Sequence, residues 1–135
     1  MIGSALRYAW ALPATIVGLA FAIVAISAGA AVHFVDGVME VGGGGAGRVL
    51  ARLPKPLRFH AITFGHVILG TDQRVLRCAR THERVHVRQY ERWGALFFVL
   101  YAGSSLTQWL RGRHPYFDNC FEREAYACAA AEGEG

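Results

Sequence analysis

The sequence predicts a mostly helical α+β protein with an N-terminal transmembrane helix, a small β-sheet and a long polar helix followed by a further helical region. Three observations lead to this prediction. Residues 8–35 contain no Asp, Glu, Lys or Arg, an Asp-Gly pair separates two short runs rich in Val, and arginines recur at helical spacing after Thr71. We therefore divide the chain into a membrane anchor, residues 1–31, and one domain, residues 32–135.

The composition is typical of a membrane-associated protein. Hydrophobic residues make up 53% of the chain, mean hydropathy is +0.26 and the net charge is +4. The basic residues are arginines with one exception, and such an excess suits an anionic membrane surface. A nucleic-acid partner is not expected, since neither a binding signature nor a basic tail is present. The three cysteines lack Cys-x-x-Cys spacing, so they predict neither a disulfide framework nor a cysteine zinc site.

The first predicted element is an apolar helix that ends near Ala31. Its charge-free stretch exceeds the roughly 20 residues that span a bilayer core, and Tyr8 and Trp10 suit the headgroup level. A cleaved signal peptide is the alternative, with Arg7 as its charged region and Ala28-Gly29-Ala30 as its cleavage site. A buried helix of a soluble fold is a third option. We favour an uncleaved anchor because the apolar stretch is long for a signal peptide.

A hairpin and a glycine-rich segment are predicted to follow the anchor. Asp36-Gly37 lies between two runs rich in β-branched residues, which favours a type I′ turn within residues 32–41. Residues 42–47 read Gly-Gly-Gly-Gly-Ala-Gly and predict a flexible joint. This segment lacks the Lys-Ser/Thr pair of a phosphate loop, so nucleotide binding is not expected.

Two short elements are predicted next. Residues 48–53 fit one or two helical turns, stopped by Pro54 and Pro56. Residues 59–69 then read as a single β-strand, with a Gly-Thr-Asp turn after it. We interpret His66, within this strand, as a core or surface histidine rather than a cleft residue.

A long polar helix is predicted from about Thr71. Its arginines recur every three or four residues and fall within one third of the helical wheel, whereas His82 and His86 point to nearly the opposite side. The arginine stripe is either a solvated face or a surface that rests on anionic headgroups. The stripe consists of Arg74, Arg77, Arg80, Arg84, Arg88 and Arg92.

Within this helix, residues 82–86 form the pattern His-Glu-x-x-His. Residues four apart lie one above the other, so His82 and His86 can both reach one tetrahedral zinc ion. Glu83 lies beside the first histidine, where its carboxylate can take a proton from a zinc-bound water. The alternative is a polar surface helix that carries two histidines by chance.

A catalytic zinc site needs a third protein ligand and an open fourth position. The downstream Gly and His of metzincins are absent, as is the inverted His-x-x-Glu-His order. The suitable residues are Glu122 and Glu124, in an alanine-rich helix capped by Asp118 or Asn119. The two glutamates project about 200° apart, so only one can face the metal. Packing does not choose between them, because both share a helix side with small residues.

The charge-free run of residues 93–110 has a tryptophan near each end. If a glutamate of the last helix completes a site with the two histidines, this run cannot cross a bilayer once. We therefore favour a buried or interfacial helix.

His82-Glu83-x-x-His86 followed by Glu122-x-x-Ala125 resembles the gluzincin class of metallopeptidases. Membrane-bound families such as the CAAX prenyl proteases and related heat-shock membrane peptidases are the most similar. The part of the chain after Ala61 is also similar to small bacterial membrane-associated proteins with the motifs His-Glu-x-x-His-x-x-Gln-x-Glu-Arg-Trp and Asn-Pro-Phe-Glu-Arg-Glu-Ala-Tyr. This resemblance implies zinc bound by His82, His86 and Glu122, with Glu83 as general base. Tyr126 stands where gluzincins have Asp, and Cys120 replaces the Pro of the bacterial motif.

The resemblance implies a zinc-dependent peptidase that acts on a peptide or protein substrate at or near a membrane. The strand at residues 59–69 would be the edge along which an extended peptide binds. Two alternatives remain: a non-catalytic membrane-anchored protein with a structural or vestigial zinc site, and a basic membrane-surface protein without metal. The sequence does not choose an oxyanion stabiliser among Tyr101, Tyr116, Tyr126 and Arg123.

Overall fold

The computed structural model describes residues 2–54 and 60–133, which form a mostly helical α+β fold with one small sheet. The predicted fold class is therefore confirmed. In chain order the elements are α1 Ile2–Ser27, β1 Ala31–Val35, β2 Val38–Gly42, α2 Gly44–Ala51, β3 Ala61–Phe64, β4 Val67–Gly70, α3 Gln73–Trp93, α4 Leu96–Leu110 and α5 Cys120–Ala131.

The described strands form a mixed sheet in the order β1-β2-β4-β3. β1 pairs antiparallel with β2, β2 parallel with β4, and β4 antiparallel with β3. The predicted β1–β2 hairpin is confirmed, since Asp36 and Gly37 both have positive φ angles, 49° and 80°, as a type I′ turn requires. β1 and β3 are left as the two edges of the sheet.

The prediction of one strand over residues 59–69 is wrong, although Phe59 itself lies outside the described residues. The segment folds back on itself as β3 and β4, which are joined by a turn at Gly65 and His66. Gly65 has a φ of +59°, and a Cβ atom there would overlap Thr15 of α1. The turn is hidden in the sequence because apolar residues flank it on both sides and it lacks Asn or Asp.

The prediction of a flexible joint at residues 42–47 is also wrong. Helix α2 begins at Gly44, inside the glycine run, and ends at Ala51 rather than covering residues 48–53. Backbone hydrogen bonds hold the run in place: Gly45 N–H donates to the Ala28 carbonyl at 2.7 Å, and Gly43 N–H donates to the Thr71 carbonyl at 3.2 Å. Pro54 follows α2 as predicted, and Pro56 lies outside the described residues.

Helices cover both faces of the sheet. α1 packs on one face, where Ala22 meets a cluster of Val41, Val67 and Leu69. α3 packs on the other face, where Leu76 and Val87 meet Val38 and Ile68. α1 also contacts α3 and α4 directly, where Ala11 and Ala14 pack against Tyr90 and Phe97. The sheet is thus the middle layer of an α/β/α arrangement.

Two arginines of the α3 stripe are bound to the β1–β2 hairpin rather than presented to solvent or lipid. The Arg80 guanidinium makes a two-bond pair with the buried Glu40 carboxylate, with both N–O distances 2.9 Å. Arg84 donates to the Val35 carbonyl and lies near the Asp36 carboxylate. The stripe therefore has an internal, structural part as well as an exposed part.

Two helices of the described chain present apolar surfaces. In α1, residues Gly3–Ser27 are long and apolar enough to cross a membrane, with a hydropathy of 2.2 and only 22% of the most apolar window buried. α4 is a shorter apolar helix. Among the described residues of this helix, Phe97 is the only one that is buried. The predicted charge-free run is also interrupted at Gly94, where α3 ends. Most of residues 93–110 are therefore not buried in the protein core, and of the two expected arrangements the interfacial helix is the one that fits.

Candidate metal centre

The candidate centre is built on α3 and α5, whose starts are fixed by side-chain caps. Asp72 caps α3 by accepting from Val75 N–H at 2.8 Å. Asn119, one of the two caps expected, accepts from Phe121 N–H at 2.9 Å and is fully buried. Its amide also donates to the Tyr101 carbonyl at 3.0 Å and ties the start of α5 to α4. The buried Ala125 of α5 leaves room for close contact with α3.

Three predicted ligands come together between these helices. The Glu122 Oε2 atom lies 3.0 Å from His82 Nε2 and 3.2 Å from His86 Nε2. The three candidate donor atoms lie within 4.8 Å of one another. Glu124 points elsewhere, is exposed, and accepts from the Gln89 side chain at 2.8 Å. Of the two glutamates left open by packing arguments, Glu122 is the one beside the histidines.

Two of these side chains, His86 and Glu122, have further hydrogen-bond partners that favour metal binding. His86 Nδ1 lies 2.8 Å from Gln89 Oε1, so the ring donates from Nδ1 and turns Nε2 toward Glu122, where a metal ion would bind. The Tyr101 hydroxyl donates to Glu122 Oε1 at 2.6 Å and leaves Oε2 facing the histidines. Two imidazole nitrogens and one carboxylate oxygen are a donor set that zinc accepts at a catalytic site. These residues therefore fit a zinc ion.

The pKa values of Glu122 and His86 are shifted by their contact with each other. Burial raises the pKa of Glu122, but hydrogen bonds from His82 and His86 outweigh it and hold that pKa far below its usual range. Burial lowers the pKa of His86, yet the hydrogen bond and charge of Glu122 raise it above its ordinary value. The carboxylate and the imidazole thus stabilise each other's charged form, and a metal ion bound at Nε2 would displace any proton held there.

Glu83 is buried beside the three ligands, on the cleft side of α3. Its Oε2 atom accepts from the Thr63 hydroxyl of β3 at 2.8 Å. Burial raises the pKa of Glu83, opposed by the charge of His86 and the hydrogen bond from Thr63. A carboxylate whose pKa is shifted upward is a stronger proton acceptor than an ordinary one, as a general base requires.

The centre lies in a cleft of about 1680 Å³. Its walls are β3, the inner faces of α3 and α4, part of α5 and the segment His114–Phe117. Because β3 is an edge strand, its unpaired side is available to this cleft. His66 is not among the lining residues; it is buried, 2.8 Å from Glu91 and stacked on Tyr8.

The four candidate oxyanion stabilisers differ in position. Tyr116 and Tyr126 line the cleft, and their hydroxyls lie 3.2 Å apart. The Tyr126 ring also packs edge-on against His82, with ring centres 4.4 Å apart. Tyr101 lines the cleft but its hydroxyl is already bonded to Glu122, and Arg123 is exposed outside the lining residues. The two linked tyrosines are therefore the remaining candidates.

Two contributors were missed by the sequence analysis, Gln89 and Thr63. Gln89 shares the histidine side of α3, three residues after His86, and that spacing could have suggested a contact. Thr63 gave no signal, because its contact with Glu83 depends on how β3 packs against α3. Gln89 also donates to the Phe121 carbonyl at 3.1 Å, so one amide links the two ligand-bearing helices.

Comparison with known proteins adds no assignment. No protein-family model, curated protein or solved structure matches the chain.

Proposed function

We propose that the protein is a zinc-dependent peptidase that works at a membrane. The observation that supports this most is the convergence of His82, His86 and Glu122 within 4.8 Å. A buried Glu83 lies beside them in a cleft bounded by an edge strand. A structural zinc site would not need an open cleft or a second buried carboxyl group next to its ligands.

In this proposal His82, His86 and Glu122 hold the metal. When bound, zinc lowers the pKa of its water to about 7. Glu83 accepts that proton on its carboxylate and passes it to the leaving amine as the peptide bond breaks. The hydrogen bond from Thr63 holds the Glu83 side chain in position. Tyr116 and Tyr126 offer hydroxyl groups to the substrate carbonyl oxygen.

The edge strand gives the proposal a substrate geometry. β3, rather than the longer strand expected from sequence, borders the cleft and has one unpaired side. An extended peptide can add to that side through main-chain hydrogen bonds, which select for backbone and not for a particular side chain. A peptide or protein substrate is therefore favoured over a small metabolite.

The membrane part of the proposal depends on α1. This helix is long and apolar enough to cross a bilayer, and most of its apolar window is exposed rather than packed into a core. We propose that α1 is retained as an anchor that holds the catalytic domain at the membrane. A cleaved signal peptide does not suit a helix whose Ala22 is part of the core of the sheet.

The test combines zinc stoichiometry with cleavage of an unbiased peptide library by the purified full chain. We expect about one zinc per chain, and hydrolysis that stops on chelation. Glu83→Gln should keep zinc and lose roughly 10²–10⁴-fold in rate, the usual contribution of a general base. Glu132→Gln, an exposed position at the end of α5, is the matched control and should be unchanged.

The outcomes separate the three candidate functions. Zinc binding without cleavage in the wild type would favour a structural or vestigial site. Absence of zinc would favour a basic membrane-surface protein, and wild-type turnover by Glu83→Gln would refute the mechanism.

A further inference from the structure

Most large hydrophobic side chains exposed in the described part of the chain belong to α1 and α4. The two helices form one continuous surface, because the Phe64 ring lies 5.5 Å from Phe21 of α1 and 6.1 Å from Phe98 of α4. Soluble monomers seldom expose so large an apolar patch. We call this surface, made by the outer faces of α1 and α4, the apolar face.

The inner side of α1 is fastened to the domain along almost its whole length. Near its start, the Tyr8 hydroxyl donates to the Gly37 carbonyl at 2.8 Å. In the middle, Thr15 Oγ1 accepts from His66 N–H at 3.1 Å. At its end, the Ala28 carbonyl accepts from Gly45 N–H at 2.7 Å. These contacts span about 30 Å of helix, so the strands lie beside α1 and not beyond one of its ends.

A bilayer crossing by α1 would therefore carry the sheet and α3 into the hydrocarbon. Both β1 and β3 would then expose open strand edges to lipid, which the hydrocarbon region does not tolerate. Arg77 and Arg88 of α3 are exposed on the far side of the sheet and would also be drawn in. If α1 instead lies along one leaflet, neither the strand edges nor the arginines enter the hydrocarbon, since only the apolar face is immersed in the membrane.

Aromatic and basic residues border the apolar face at two places. Trp10 is half-exposed, and its indole N–H donates to the Arg92 carbonyl at 3.3 Å. At the other place Trp109, 63% exposed, is followed by the exposed Arg111 and Arg113. Tryptophan prefers the headgroup level, and arginine beside it is attracted to anionic lipid. Both positions suit the rim of a surface immersed in one leaflet.

We propose that the apolar face docks into a single leaflet of an anionic bilayer, with α1 lying along the membrane plane instead of crossing it. The inference rests on the membrane association proposed above and is independent of the zinc chemistry. It also places the cleft at the membrane surface. Phe64 and Phe98 both line the cleft, and the Phe64 ring connects Phe21 of α1 to Phe98 of α4 within the apolar face.

The decisive experiment labels the two ends of α1. Ser4→Cys and Ser27→Cys are each introduced into a full chain in which Cys78, Cys120 and Cys128 are replaced by Ser. Sealed spheroplasts and inverted vesicles from the expressing cells are treated with a membrane-impermeant maleimide. We expect both sites to react from the same side of the membrane. Reaction from opposite sides, or of neither site until detergent is added, would overturn the proposal.

A second measurement follows binding to vesicles of defined composition. Val24→Asp, 65% exposed on α1, should weaken sedimentation with phosphatidylglycerol-containing vesicles about tenfold or more. Val49→Asp, 63% exposed on α2 and outside the apolar face, is the matched control and should bind as the wild type does. Equal loss in both variants, or equal binding to purely zwitterionic vesicles, would contradict docking of this face. Recovery of the wild type in the soluble fraction would overturn membrane association itself, whatever the zinc assays show.

Discussion

At the residue scale, the candidate centre is a set of side chains that hold one another in position before any metal binds. Glu122 accepts hydrogen bonds at both carboxylate oxygens, one from Tyr101 and one shared by the histidine rings. Gln89 fixes the His86 ring and contacts the backbone of α5. Such preorganisation means that little side-chain freedom is lost on metal binding.

The ligand set can be tested by comparing two alanine variants. Glu122→Ala removes the oxygen that lies 3.0 and 3.2 Å from the histidine nitrogens, so we expect bound zinc to be lost. Glu124→Ala removes an exposed carboxylate that accepts a hydrogen bond from the Gln89 side chain, so zinc should be retained. Metal content of the purified proteins provides the measurement. Loss of zinc only from the Glu124 variant would reverse the assignment, and loss from neither would remove the gluzincin hypothesis.

Gln89→Leu should weaken zinc binding while leaving all three ligands present. The variant removes the acceptor for His86 Nδ1–H, and loss of such a partner typically costs about 10–100-fold in metal affinity. Competition with a chelator of known affinity measures the change. Gln73→Leu is the control, because it makes the same substitution on the same helix but contacts the Ala31 and Gly42 carbonyls far from the centre. A similar loss in both variants would mean that Gln89 acts only on the stability of α3.

Sequence reasoning reached some of these residues and not others, for a physical reason. His82, Glu83 and His86 are related by helical spacing alone, which the sequence contains. Glu122 required the resemblance to gluzincins, since its distance from the histidines depends on how α5 packs. Thr63 was missed, and Tyr101 was considered only as an oxyanion stabiliser, because their contacts with Glu83 and Glu122 are tertiary and no local pattern marks them.

At the element scale, patterns with strong local signals were predicted well. The Asp36-Gly37 turn and the long helix from Asp72 are both where the sequence placed them. The β3–β4 turn and the start of α2 were missed, because their backbones are fixed by α1 and not by their own residues. Gly65 contacts Thr15, and Gly45 is bonded to Ala28. Tertiary contacts with α1 thus determine the backbone conformation of these two segments, against the flexible joint and the single strand that their own sequences predict.

Gly18→Ala tests how closely α1 approaches the β3–β4 hairpin. A Cβ atom at Gly18 would lie 2.7 Å from Val67 Cβ and 2.9 Å from the Phe64 carbonyl oxygen. We expect the variant to lower the free energy of unfolding by about 1–3 kcal/mol, the usual cost of overpacking. Gly3→Ala is the matched control on the same helix, with nothing within 4 Å of the added atom. Denaturant unfolding of both should show destabilisation in Gly18→Ala alone; equal midpoints would mean that the two layers are not in close contact.

At the scale of the whole molecule, α1 is both the apolar exterior and one of the three layers of the fold. Its inner residues Ala11, Ala14 and Ala22 are small and buried, whereas Ile16 and Ile23 are more than half exposed. The sequence indicated the hydrophobicity of the helix but not this division, because apolar residues occupy both sides. Only the packing of alanine and glycine against the sheet distinguishes the inner side from the outer one.

That double role predicts what removal of α1 would do. A chain lacking residues 1–30 would expose the Val41, Val67 and Leu69 side of the sheet and leave Tyr90 without Ala11 and Ala14. Because α3 would lose part of its support, we expect this chain to unfold without cooperativity and to bind little zinc. The full chain with Ile16→Ser and Ile23→Ser on the outer side of α1 is the control, since it changes lipid contact and leaves the inner side intact. Circular dichroism during denaturant titration and zinc content compare the two proteins. A shortened chain that folds cooperatively and binds zinc would instead support the signal-peptide interpretation, with cleavage near Ala31.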